Sequence, residues 1–312
     1  MSKSVLLYVC PTVPAEPWVK AFAESLPDVE IRVWPDIGNP AEVTYAFVWH
    51  PPSVLFTQLT SLRAVFSLGA GVDKLLANPE LPRDVPLIRM VDPSLGADMA
   101  IFVAMQVLHY HRRMPEFAAF QRERLWRALD VPMAHERRVG ILGYGEMGAL
   151  CADRLRSFGF NVGIWSRRPR SDAGLRCFAG LEQLPAFLAE TDILVCLLPL
   201  TPETRGILNA AAFAAMPRGS FLINVGRGPH VVENDLLAAL DSGQIAHATL
   251  DVFVQEPLAQ EHPFWAHERV TVTPHVGALT QPHTAAVMIA DNIRRDLAGE
   301  SLLNTVDHAL GY

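Results

Sequence analysis

The sequence predicts an α/β protein made of two Rossmann-like domains, each a doubly wound parallel sheet, with an active-site cleft between the domains. Three observations carry this. The chain has 312 residues, a length normally divided into two domains. Short apolar runs alternate with stretches of helical spacing. That alternation restarts at Arg138, where a strand-like run leads into a glycine-rich turn. Half of the residues are hydrophobic and 19% are charged, enough apolar material for two cores.

In the first hundred residues, "SVLLYVC", "VEIRVW", "YAFVWH", "RAVFSLG" and "PLIRM" read as buried parallel strands. "WVKAFAESL" and "VLFTQLTSL" have helical spacing between them. A helix follows in "ADMAIFVAMQVLHYHRRM", then an irregular link, "WRALDVPMAHER". From Arg138 the order is strand, tight turn, helix, strand. Further strands lie in "TDILVCLLPL", "GSFLINVGRG", "HATLDVF" and "RVTVTPHVG", with helices in "PAFLAE" and "ENDLLAALDSG". A last helix from about Gln281 to Leu297 can return to the first domain. The expected division is therefore a discontinuous substrate domain, 1–98 with 281–312, and a dinucleotide-binding domain, 99–280.

A net charge of −7 gives no reason to expect nucleic acid as a partner. No apolar run is long enough to span a membrane. The opening "MSKSVLLYVC" is cut off by prolines and reads as a first strand, not a signal peptide. Cys10, Cys151, Cys177 and Cys196 are scattered, which fits reduced thiols in the cytoplasm. No metal site is assigned.

"VGILGYGEMG" sets Gly143, Gly145 and Gly148 in the G-x-G-x-x-G spacing, after an apolar strand and at the start of a helix. That context gives the pattern its meaning. The turn is tight, the backbone can approach a pyrophosphate, and the helix N-terminus presents N–H groups to it. The expected cofactor contacts at this turn are Gly143, Tyr144, Gly145, Glu146, Met147 and Gly148. Glu146 is an odd choice beside a phosphate, unless it points to solvent. After the next strand a carboxylate normally accepts from the adenosine ribose hydroxyls. Here Ser166 stands in that place, followed by Arg167 and Arg168. A carboxylate repels a 2′-phosphate, whereas guanidinium groups grip one. The expected cofactor is NADP(H), with NAD(H) possible.

Arg227, Glu256 and His275 each follow a buried run and so arrive at a strand's carboxyl end. Singly, each has an ordinary structural explanation. Together they suit reduction of a 2-keto acid: a cation for the carboxylate, a proton donor, and an acid that orients the donor.

These segments resemble the D-isomer-specific 2-hydroxyacid dehydrogenase family over nearly the whole chain. The resemblance rests on the glycine turn, "LLPLTPETRGILN", "MPRGSFLINVGRG", "HVVENDLLAALDSG", "LDVFVQEPL" and "TPHVGA", in the family's order. It implies Arg227, Glu256 and His275 as the catalytic residues, His275 being the proton donor, and a homodimer as the usual state. It implies substrate contacts from the backbone of Ala70 and Gly71 and cofactor contacts from Leu198, Pro199 and Asp251. Trp49 would restrict the pocket to small substrates or simply fill a core. "VWHPP", "SLGAGVD", "WSRR", "HVVE", Glu233 and the closing "GY" are similar to one branch of the family. That branch implies NADPH-dependent reduction of glyoxylate to glycolate and of hydroxypyruvate to D-glycerate. Two alternatives stay open: a different or bulkier 2-keto acid, and a non-enzymatic nucleotide sensor.

Overall fold

The computed structural model describes residues 3–172, 174–308 and 310–311; Tyr312 of the closing "GY" lies outside them. In chain order the elements begin with β1 (Val5–Val9), α1 (Glu16–Ser25), β2 (Glu30–Val33), β3 (Val43–Val48), α2 (Leu55–Gln58), β4 (Ala64–Ser67), α3 (Asp73–Leu76) and β5 (Leu87–Ile88). They continue with α4 (Pro93–His111), α5 (Met114–Glu123), β6 (Arg138–Leu142), α6 (Glu146–Ser157), β7 (Asn161–Ser166), β8 (Arg176–Ala179), α7 (Gly180–Ala189) and β9 (Ile193–Cys196). The last are α8 (Ala210–Ala215), β10 (Ser220–Asn224), α9 (Glu233–Asp241), β11 (Ile245–Leu250), β12 (Val270–Val272) and α10 (Pro282–Leu297).

The chain divides into two compact units, Met1–Leu95 with Thr280–Tyr312, and Gly96–Leu279. The first holds a five-stranded sheet in the order β2-β1-β3-β4-β5, parallel throughout. Its central strands are almost wholly buried because both faces are covered. Trp18 and Phe22 of α1 close one face by packing on Phe47. On α10, Ala285, Ala286, Ile289, Ala290 and Ile293 are fully buried. Hydrogen bonds tie the same helix to this unit, from Tyr45 and Arg63 to Asp296 and from Arg294 to the Ser25 carbonyl. The helical spacing of "VLFTQLTSL" yields only the single turn α2.

The second unit holds a seven-stranded parallel sheet in the order β12-β11-β10-β9-β6-β7-β8. Successive side chains of a strand face opposite sides, and the core follows that alternation. Ile141, Ile164, Val195 and Ile223 meet Val103 and Val107 of α4 and Leu155 of α6. Leu142, Leu194, Leu222 and Leu250 meet Phe187, Phe213, Leu236 and Leu240 on the opposite face. The chain runs outward from β6 through β7 to β8, then crosses back to β9 on the other side of β6. In an open α/β sheet, ligands bind outside the carboxyl ends at such a switch point. Within this unit, the residues singled out in the sequence follow β6, β7, β9, β10, β11 and β12, and so lie along that one edge.

Candidate active site

The turn after β6 is built around two close approaches. Gly143 has φ +102°, and a Cβ there would sit 2.9 Å from the Leu197 carbonyl oxygen. A Cβ on Gly148 would lie 2.1 Å from the Gly143 oxygen, so only glycine lets α6 start this close to the strand. Gly145 differs: a Cβ there would meet nothing within 4 Å. The protein's own packing does not require that glycine, and the open space stands before the N-terminus of α6, which no side chain caps. A pyrophosphate fits there, on backbone N–H groups and the positive end of the helix. Glu146 is exposed on the first turn, and Met147 packs against the core. The Tyr144 hydroxyl donates to the Asp172 carboxylate, which ties this turn to the loop after β7. Burial, then that carboxylate, pushes the Tyr144 phenol up to about 12.

In the loop after β7, the residue standing where a carboxylate is usual is turned inward. Ser166 is buried, and its hydroxyl donates to the Arg168 carbonyl at 2.7 Å, folding the loop on itself. Its proton therefore shapes the turn that presents Arg167 and Arg168. Glu203 lies within electrostatic reach of Arg167. The Glu203 carboxyl is held below its usual range first by the Thr201 hydroxyl and a backbone N–H, and in smaller part by that guanidinium. Leu198 is buried in the core beside the glycine turn, and Pro199 follows it half-buried.

Arg227 follows β10 on a turn that leaves no space for a side chain at the next position. A Cβ on Gly228 would lie 1.9 Å from the Phe253 carbonyl carbon. The turns after β10 and β11 are thus in contact, which brings the Arg227 loop against the loop of Glu256. The Arg227 backbone is held by two fully buried side chains, Asn224 and His230. Neither was singled out from the sequence. Asn224 reads as the end of an apolar strand, and a lone histidine in a loop carries no periodicity.

The loops after β11 and β12 supply the acid–base pair. His275 Nδ1 lies 3.1 Å from Glu256 Oε2, and Glu256 Oε1 accepts from the Phe253 N–H at 3.0 Å. A carboxylate on Nδ1 fixes the ring and leaves Nε2 as the other proton-bearing nitrogen. His275 has φ +55°, a conformation a residue with a Cβ adopts at a cost on the order of 1–3 kcal/mol. Asp251 offsets that cost. Its backbone carbonyl accepts from the His275 N–H at 2.9 Å. Its buried carboxylate accepts from Thr273 Oγ1 (2.6 Å), Val276 N–H (2.9 Å) and Gly277 N–H (2.9 Å). The aspartate therefore shapes the loop that carries the histidine.

In the first unit, the turn after β4 lies under Trp49, whose ring would be 2.6 Å from a Cβ on Gly69. Trp49 stacks on His50, which is 3.3 Å from Lys74 Nζ. Among the described residues, no protein acceptor engages the N–H groups of Ala70 and Gly71. No helix there is long and apolar enough to cross a membrane, and no group of three or more candidate metal ligands occurs.

A glycine turn ready for pyrophosphate, sharing one sheet edge with an acid-oriented imidazole, defines a class: the dinucleotide-dependent oxidoreductases. Comparisons with known proteins narrow it. Residues 104–277 match the NAD binding domain of the D-isomer specific 2-hydroxyacid dehydrogenases. The chain is 45% identical over 313 aligned residues to glyoxylate/hydroxypyruvate reductase A of Serratia proteamaculans, covering 98% of this chain and 99% of that one. A D-isomer specific 2-hydroxyacid dehydrogenase of Xanthobacter autotrophicus, solved with NADPH and MES, superposes with a TM-score of 0.96 at 46% identity and full coverage of both chains. The NADPH-dependent glyoxylate/hydroxypyruvate reductase of Sinorhizobium meliloti, solved with NADP and sulfate, gives 0.94 at 39% identity, again over the whole of both chains. The chain belongs to the D-isomer specific 2-hydroxyacid dehydrogenase family.

Proposed function

We propose that this protein reduces glyoxylate to glycolate and hydroxypyruvate to D-glycerate with NADPH. The observation that carries the reading is the 3.1 Å hydrogen bond between Glu256 and His275, held on strand ends next to the Arg227 loop. The relatives named for this reaction, and the two bound to NADPH or NADP, support it. Arg227 grips the substrate carboxylate and polarises the ketone, while the N–H groups of Ala70 and Gly71 donate to the same carboxylate. Trp49 bounds the pocket and favours small acids. When bound, the reduced nicotinamide supplies the hydride taken up by the carbonyl carbon. His275 gives its proton to the carbonyl oxygen, and Glu256 holds the ring in place for the transfer. Gly143 to Gly148 hold the pyrophosphate, Arg167 and Arg168 hold the 2′-phosphate on the turn that Ser166 shapes, and Leu198 and Pro199 flank the cofactor. Asp251, beyond its loop-holding bonds, accepts from the nicotinamide carboxamide.

The test is a pair of variants read by steady-state kinetics and by NADPH titration. His275→Ala is expected to lower kcat by about 10²–10⁴-fold with NADPH affinity retained. Arg227→Ala is expected to lower kcat/KM for glyoxylate by a comparable factor. Near-parent turnover in either variant removes that residue from its role.

The proposed assembly is a homodimer. The second unit leaves Ile101, Met105, Met114, Leu125 and Met133 largely exposed and Trp126 fully so. An interface with a second copy would cover these side chains. Sedimentation is expected to give twice the chain mass, with Trp126→Asp shifting the protein toward monomer; a monomeric parent contradicts the proposal. The four cysteines form no disulfide, and residence in the reducing cytoplasm is proposed on that ground.

A further inference from the structure

We infer that His230 is a positioning residue for Arg227, a neutral strut that fixes the arginine's backbone to the turn after β9. The inference rests on the proposed role of Arg227. Nδ1 of His230 lies 3.1 Å from the Arg227 backbone N–H, which can only donate. Nδ1 therefore carries the lone pair, and the ring's single proton is on Nε2. Nε2 faces the Pro199 carbonyl oxygen at 3.2 Å, so the ring bridges the two turns with one accepted and one donated bond.

The ring is closely surrounded. His230 is fully buried. A Cβ on Gly226 would come within 3.1 Å of the ring's Cε1 and Nδ1 and of the Leu198 carbonyl oxygen. Cys196 Sγ stands 3.6 Å from Nδ1 on β9, its thiol pushed up to about 12 by burial and so protonated. The His230 backbone is fixed as well, accepting from the Leu208 N–H at 2.9 Å. On the far side of the Arg227 peptide, the carbonyl accepts from Asn224 Nδ2 at 3.0 Å and from the His230 N–H at 3.2 Å. Two fully buried polar side chains thus spend hydrogen bonds on the main chain of one residue. Burying such groups is unfavourable unless they are paired. Here they set where the arginine side chain starts, and a displacement of about 1 Å at a reacting centre can cost on the order of 100-fold in rate.

The test uses His230→Phe, which keeps a flat ring but loses both nitrogens, and His230→Asn, whose Oδ1 falls near the place of Nδ1. Arg227→Ala is measured alongside. His230→Phe is expected to lower kcat/KM for glyoxylate by about 30-fold. Its NADPH affinity should fall far less than kcat/KM, because the glycine turn is untouched and the cofactor side loses only the bond at Pro199. His230→Asn should recover most of the loss by accepting again from the Arg227 N–H. A residue that only filled space would lower thermal stability and cofactor binding together and would gain nothing from asparagine. Should the phenylalanine variant not fold, ¹⁵N NMR of the histidine rings in the parent protein decides. It is expected to show His230 with a bare Nδ1 and a protonated Nε2. Unchanged turnover in His230→Phe, no recovery in His230→Asn, or a protonated Nδ1 overturns the inference. Unchanged turnover in Arg227→Ala overturns the arginine's role itself, and the strut with it.

Discussion

At the scale of single residues, the proposed cofactor preference rests on a few charges after β7. Ser166 spends its proton on the Arg168 carbonyl, so discrimination falls on the guanidinium groups. Arg167→Ala is expected to raise the KM for NADPH by about tenfold or more, on the scale of a charge-assisted contact to phosphate, and to leave the KM for NADH nearly unchanged. Equal effects on both cofactors contradict the assignment. Glu203 beside Arg167 works against an incoming phosphate, so Glu203→Gln should tighten NADPH and leave NADH alone. Glu256→Gln keeps an acceptor for His275 Nδ1 but removes its charge, so it should lower kcat for glyoxylate by about tenfold or more with NADPH affinity retained. Unchanged turnover would show that the glutamate does not act through the histidine.

At the scale of elements, the site depends on turns that touch. Gly228→Ala would force a methyl into the Phe253 backbone and separate the turns after β10 and β11. It is expected to lower the melting temperature and to depress keto-acid turnover; a variant with parent stability and activity would show that the contact can relax. Most strands that form this edge were legible in the sequence because they are largely buried apolar runs ending in glycine, proline or a polar residue, although β12 is only half-buried. The glycine turn was legible for the same reason: its spacing lies between such a strand and a helix. Other elements were not. β8 is four half-buried residues at the sheet's edge with no alternation, and α8 is six residues, mostly alanine, with no polar face. α2 stops after a single turn despite its spacing. The strut His230 and the clamp Asn224 escaped for a different reason. Their meaning lies in which backbone atoms they meet, and only the fold brings those atoms to them.

At the scale of the whole molecule, burial makes the second unit sensitive to acid. His247 on β11 faces Tyr110 of α4, whose hydroxyl also meets Thr249. Burial holds the His247 imidazole down at about 4, and burial also lowers His109 and His111 on α4. All three are shifted below the ordinary value near ~6.5. The unfolded chain therefore takes up protons first as pH falls, and stability present above that value is lost on the way down to about 4. The loss from His247 is on the order of 1–3 kcal/mol. His247→Asn should flatten this acid limb in unfolding curves taken between those two pH values, and an unchanged limb would assign it to other groups. The proposed reaction is tested by the initial rate of NADPH oxidation with glyoxylate, hydroxypyruvate, pyruvate and a branched 2-keto acid, each repeated with NADH. The highest kcat/KM is expected for glyoxylate and hydroxypyruvate with NADPH. Turnover confined to the branched acid, or equal with NADH, would overturn it.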